Sequence, residues 1–149
     1  MADHSLSSGE VKQILQAGLP QAEFKNRKVL LIIPDHTRTA PVGQMFKEVH
    51  AWLGSVVKQI DVMVALGTHP PMSQEAICHR LDLTLGEKEK RYPKVRLLNH
   101  AWDDDQTLME IGKIPSSEIR DLTGGLFEME VKVRINRAAL EYDELVILG

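Results

Sequence analysis

Seven residues, KVLLIIP from Lys28 to Pro34, form an aliphatic run with charge before it and proline closing it. A strand with one wet face alternates apolar and polar residues; a continuous run is dry on both faces, as strands inside a parallel sheet are. A second run, IDVMVAL at Ile60 to Leu66, follows a segment in which Val42, Met45, Phe46, Val49, Trp52, Leu53 and Val56 recur at three- and four-residue spacing. That spacing predicts a helix over 42–57 with one apolar stripe. Strand, helix and strand of these lengths make a right-handed crossover, so the two strands run parallel.

The same pattern continues along the chain. Ser8 to Gly18 reads as a short amphipathic helix capped by Ser8 and stopped by Gly18 and Pro20. Ser73 caps a further helix that carries Ala76, Ile77 and Leu81 inward and fades before GEKEKR at 86–91, which reads as a solvated turn. Val95 to Leu98 is a short strand, Leu145 to Leu148 another. FEMEVKVRI, Phe127 to Ile135, alternates at period two and so belongs at an edge or in a hairpin. The sum is a single α/β domain over residues 1–149, an open, mostly parallel Rossmann-like sheet with helices on both faces.

Bulk properties remove several function classes. At 149 residues the chain is long enough to bury a real core. Its 18 Lys and Arg against 21 Asp and Glu leave a net charge of −3, which gives no pull toward nucleic acid or an acidic membrane. Cys78 is the sole cysteine, so no intrachain disulfide can form, and a reducing cytoplasm is the expected setting. The start MADHSLSSGE has no signal-peptide pattern, and no apolar run approaches the roughly 18 residues of a membrane span.

Three of the strands end in polar clusters: Asp35-His36-Thr37-Arg38, then Thr68-His69, then Asn99-His100. In a parallel sheet all carboxyl ends share one rim, and open α/β folds bind ligands there, so three distant positions converge on one crevice. Each cluster alone could be turn and cap chemistry; the convergence is what points to a site. An imidazole near neutral pKa can move a proton, a carboxylate such as Asp35 can orient it, and an arginine fork can hold a carboxylate or phosphate. The acidic run Asp103-Asp104-Asp105 lacks the oxygen spacing and glycine of a calcium loop and reads as a solvated helix start. His4, His50 and His79 are assigned no role. GxxxxGKS, GxGxxG and GxSxG are all missing, so nucleotidase and hydrolase readings lack their parts.

PDHTRTAP, ALGTHPPM, LLNHAW and the closing INRAALEYDELVILG together resemble the amino-terminal domain of the nickel-pincer-dependent lactate racemases, colinearly from about Val29 to Gly149. DHTR followed by GTH at the end of the next strand is the specific part. The resemblance implies a two-domain enzyme that interconverts enantiomers or epimers of small 2-hydroxy acids, moving a hydride to and from a nickel-bearing pyridinium nucleotide. It implies that His69 is one of two proton-carrying histidines, with Asp35 supporting it, and that Arg38 holds anionic substrate or cofactor. Thr37, His36, Thr68 and His100 complete the candidate binding set, and no metal ligand is assigned. Pro70 stands where family members often carry arginine, so the substrate need not be lactate.

The family's second catalytic histidine and its cofactor-bearing lysine lie beyond a segment like VILG and are absent from these 149 residues. The expected partners are therefore a small carboxylate substrate and a carboxy-terminal domain, and the chain alone is expected to be inactive. An interface built to face another domain also allows homo-oligomers when bare. The alternative reading is a non-catalytic anion-binding module acting with a partner chain.

Overall fold

The computed structural model describes residues 6–149 and shows two compact units, residues 6–100 with Tyr142–Gly149, and Ala101–Glu141. In the larger unit, helix α1 (Ser8–Gly18) and the short α2 (Gln21–Phe24) precede strand β1 (Lys28–Pro34). Helix α3 (Val42–Leu53) leads to strand β2 (Gln59–Ala65), and helices α4 (Gln74–Arg80) and α5 (Leu85–Arg91) lead to strand β3 (Leu97–Asn99). The smaller unit holds strand β4 (Leu108–Ile114), helix α6 (Ser116–Leu122), strand β5 (Val131–Asn136) and a 3-10 turn over Arg137–Glu141. Strand β6 (Glu144–Ile147) returns to the first unit. No helix among the described residues is long and apolar enough to cross a membrane.

The four-stranded sheet runs β3-β2-β1-β6, every neighbouring pair parallel. This is the mostly parallel α/β architecture that the two aliphatic runs predict. Because β1 is paired along both edges, its backbone is satisfied within the sheet. Val29, Leu31 and Ile33 point into the main core with Val62 and Val64 of β2. Helix α3 lays Val42, Phe46, Val49 and Leu53 on that layer, and α4 adds Ile77 and Cys78. Burying one such side chain contributes about 1.5–3 kcal/mol, so this layer is the main source of stability. Trp52 then ties the amino-terminal helices down: its Nε1–H donates to Leu19 O at 2.8 Å, and Gln21 donates to Trp52 O at 2.6 Å.

Several expectations need correction. The cap of α1 is Ser7, whose hydroxyl accepts from Glu10 N while Glu10 reaches back to Ser7 N. Helix α3 stops at Leu53 because Gly54 closes against His50 O at 2.8 Å, and Val56 and Val57 fold onto Leu53 O as a turn. GEKEKR is helical, not a turn, since Thr84 and Glu87 form a capping box that supplies the missing first-turn partners. Asp103–Asp105 starts no helix; Gln106 N donates to Asp104 Oδ1 instead, a local turn. The alternating segment forms strand from Val131 only, and it pairs antiparallel with β4, a strand that periodicity did not reveal.

Apolar periodicity also hid Asp61, which is 0% exposed inside β2. Its Oδ1 accepts from Arg96 N at 2.7 Å, and Oδ2 accepts from Arg96 Nε at 2.9 Å, Tyr142 Oη at 2.7 Å and Gln59 Nε2 at 2.7 Å. Four donors offset the desolvation of the charge. Burial, with the Asp61 hydrogen bond behind it, pushes the Tyr142 phenol up to about 12. Tyr142 precedes β6, so this cluster clamps the returning strand to the sheet.

Gly43 shows how closely α3 meets the turn after α4. A Cβ there would fall 2.0 Å from Asp82 Oδ2 and 2.8 Å from the Leu81 carbonyl carbon. Gly43→Ala should therefore destabilise the fold by about 1–3 kcal/mol despite alanine's better helix propensity. Urea unfolding checks this; an unchanged or raised midpoint would show that the turn yields freely.

Candidate active site

The site is built from the way two neighbouring strands stop. After Pro34 the chain turns, Arg38 N donating to Asp35 O at 3.4 Å. Asp35 Oδ1 accepts from Thr37 N at 3.0 Å and from Thr37 Oγ1 at 2.6 Å. These local bonds lock the carboxylate, which is only 4% exposed, and leave Oδ2 for another partner. After β2, His69 N donates to Leu66 O at 3.0 Å, closing a turn in which Gly67 takes φ +56°, a conformation that glycine adopts without steric cost. The turn swings His69 back to β1, where Nδ1–H donates to Asp35 Oδ2.

The third strand contributes by bracing. Asn99 at the end of β3 accepts from Met72 N at 3.1 Å and donates to Met72 O at 2.8 Å, a two-point grip on the segment that follows His69. Its polar strand-end position was visible in the sequence; its task was not.

The electrostatics follow from these contacts. The Thr37 hydroxyl first, and the His69 imidazole second, hold Asp35 well below the usual carboxylate range against the opposing pull of burial. An ionised Asp35 accepts from Nδ1–H, which selects the tautomer whose Nε2 carries the lone pair. His69 is half exposed, so the nitrogen that is left can meet a ligand while Nδ1 stays held.

Asp35, Thr37, Arg38, Thr68 and His69 line one cleft of about 550 Å³, together with apolar wall residues that include Ile32 and Ile147. Arg38 is exposed and makes no ion pair among the described residues, so its guanidinium can be given to an anion. Two candidates from the sequence fall elsewhere. His36 lines a separate hollow with Pro70, Pro71 and His79. His100 lies past β3, its N–H donating to Val64 O at 3.0 Å, and is not among the residues lining the cleft.

The model of the lactate racemase N-terminal domain matches residues 9–149. The chain belongs to the lactate racemase N-terminal domain family. No curated protein matches it. The crystal structure of a protein from Thermotoga maritima superposes on 95% of this chain with a TM-score of 0.80 and 24% identity, a likeness of fold. This chain spans 33% of that one. Nickel dependence is general in the lactate racemase family. Among the described residues no three His, Cys, Asp or Glu gather as a metal site, and no lysine lines the cleft. What fits an anionic nucleotide here is Arg38 and the apolar wall.

Because folding lowers the pKa of Asp35, its ionised form stabilises the fold above the ordinary carboxylate value of about 3.9, and that contribution is lost as the pH falls below it. Urea midpoints measured between about pH 5 and pH 2 should fall less steeply in Asp35→Asn than in the wild type. Equal slopes would mean that the carboxylate is not held.

Proposed function

We propose that this domain supplies one proton-carrying histidine and one anion-holding arginine to a racemase or epimerase of small 2-hydroxy acids, whose site a carboxy-terminal domain completes. The observation that carries the reading is the Asp35–His69 pair opening into the cleft that Arg38 lines. A 2-hydroxy carboxylate has two handles at a fixed separation. Arg38 takes the carboxylate as a bidentate fork. His69 Nε2 takes the hydroxyl proton, and Asp35 stabilises the imidazolium that results, as a buried carboxylate does for any general-base histidine.

When bound, the nickel-pincer nucleotide supplies the acceptor and donor of hydride at the α-carbon. The apolar wall at Ile147 would hold part of that nucleotide beside the substrate that Arg38 takes, while attachment and metal ligation would fall to the carboxy-terminal domain. One histidine serves one face of the α-carbon. When the keto acid presents its other face to the hydride donor, its oxygen needs a proton from a second acid on that side, which is why the isolated chain should show no racemisation. The free, buried Cys78 suits a reducing compartment such as the cytoplasm.

The test is reconstitution with the carboxy-terminal domain and loaded cofactor. His69→Ala should lower kcat by about 10²–10⁴-fold with ligand binding kept, and Arg38→Ala should raise KM or abolish binding. A wild-type complex that binds lactate-like anions but turns none over would favour an anion-binding module instead. Sustained turnover by the 149-residue chain alone would overturn the division of labour.

A further inference from the structure

Arg80 sits on the last turn of α4, away from every motif that marks the site. Its Nε–H donates to Pro34 O at 3.2 Å. Pro34 has no N–H, so its carbonyl is the only backbone hydrogen-bonding handle on the last residue of β1. The peptide that follows is planar, so fixing that oxygen also fixes the nitrogen and Cα of Asp35, the point from which its side chain leaves.

The guanidinium is kept there at a cost. Nη2 is buried and has no hydrogen-bond partner. An unsatisfied buried donor costs about 1–3 kcal/mol, more when charged, and methionine would fill a similar space without it. A group retained against that cost is explained by what its other nitrogen does. The groups that hold the Asp35 carboxylate ionised are Thr37 and His69.

We propose that Arg80 is a positioning residue for the Asp35–His69 pair, setting through the Pro34 carbonyl the angle at which the carboxylate meets Nδ1. It touches neither substrate nor cofactor. The proposal deepens the reading of His69 as proton carrier and rests on it, but it can be read on the free chain without turnover. The charged and titratable groups lining the cleft with His69 are Asp35 and Arg38; His36 and His79 face the neighbouring hollow.

Long-range proton–nitrogen NMR of the His69 ring at mildly alkaline pH reports which nitrogen carries the proton. The wild type should show the Nδ1–H form in excess. Arg80→Met should lower the ratio of Nδ1–H to Nε2–H several-fold, Arg80→Lys should recover part of it, and Leu81→Ala, a cavity variant beside Arg80, should leave it unchanged. An unchanged ratio in folded Arg80→Met overturns the proposal, as does an equal loss in Leu81→Ala, which would mark mere loosening. Should Arg80→Met not fold, the ratio in Arg80→Gln decides in the same sense. A wild type without the Nδ1–H excess would instead sink the underlying reading of the pair.

Discussion

The double pairing of β1 is the constraint from which the rest of the larger unit follows. A strand bonded along both edges and dry on both faces must lie inside a parallel sheet, and a parallel sheet places all its strand ends on one rim. Asp35 and His69 meet because Pro34 and Ala65 are register partners. Two loops that leave adjacent strands at the same height have only a short distance to cover. Thr37 then holds the acid and the turn at Gly67 returns the imidazole, so each side of the pair has bonds within its own loop, to which Arg80 and Asn99 add a hold from outside.

That logic also marks what could be read in the sequence. Long apolar signals were legible: KVLLIIP stands where composition put it, IDVMVAL is offset by one residue, and the stripe of α3 holds as helix as far as Leu53. The convergence of Asp35, Thr37, Arg38, Thr68 and His69 was legible too, because it needs only strand order and direction. Elements held by polar local bonds were not. Helix α5 buries no residue and exists through its Thr84–Glu87 box. Strand β4 is broken by a register shift at Glu110 and Gly112, which blurs its alternation. Asn99 and Arg80 act on backbone carbonyls and amides of distant segments, a kind of contact with no signature in residue spacing. His36 was drawn in by its motif; side-chain direction inside a tight turn is a matter of dihedral angles, which the string of letters does not show.

Two buried aspartates, Asp61 within β2 and Asp35 just past β1, contrast in what their oxygens meet. Asp61 has Arg96, Tyr142, Gln59 and a backbone amide around it, and neither the arginine nor a phenol raised to about 12 changes protonation near neutrality. Its network has one state across the physiological range, which suits a clamp. Asp35 is buried almost as fully, yet its second oxygen meets an imidazole that opens on the cleft. Burial makes both carboxylates dependent on their partners, and the partner decides the outcome. A fixed cation turns a buried acid into a staple; a half-exposed histidine turns the same acid into the support of an imidazole that faces the cleft.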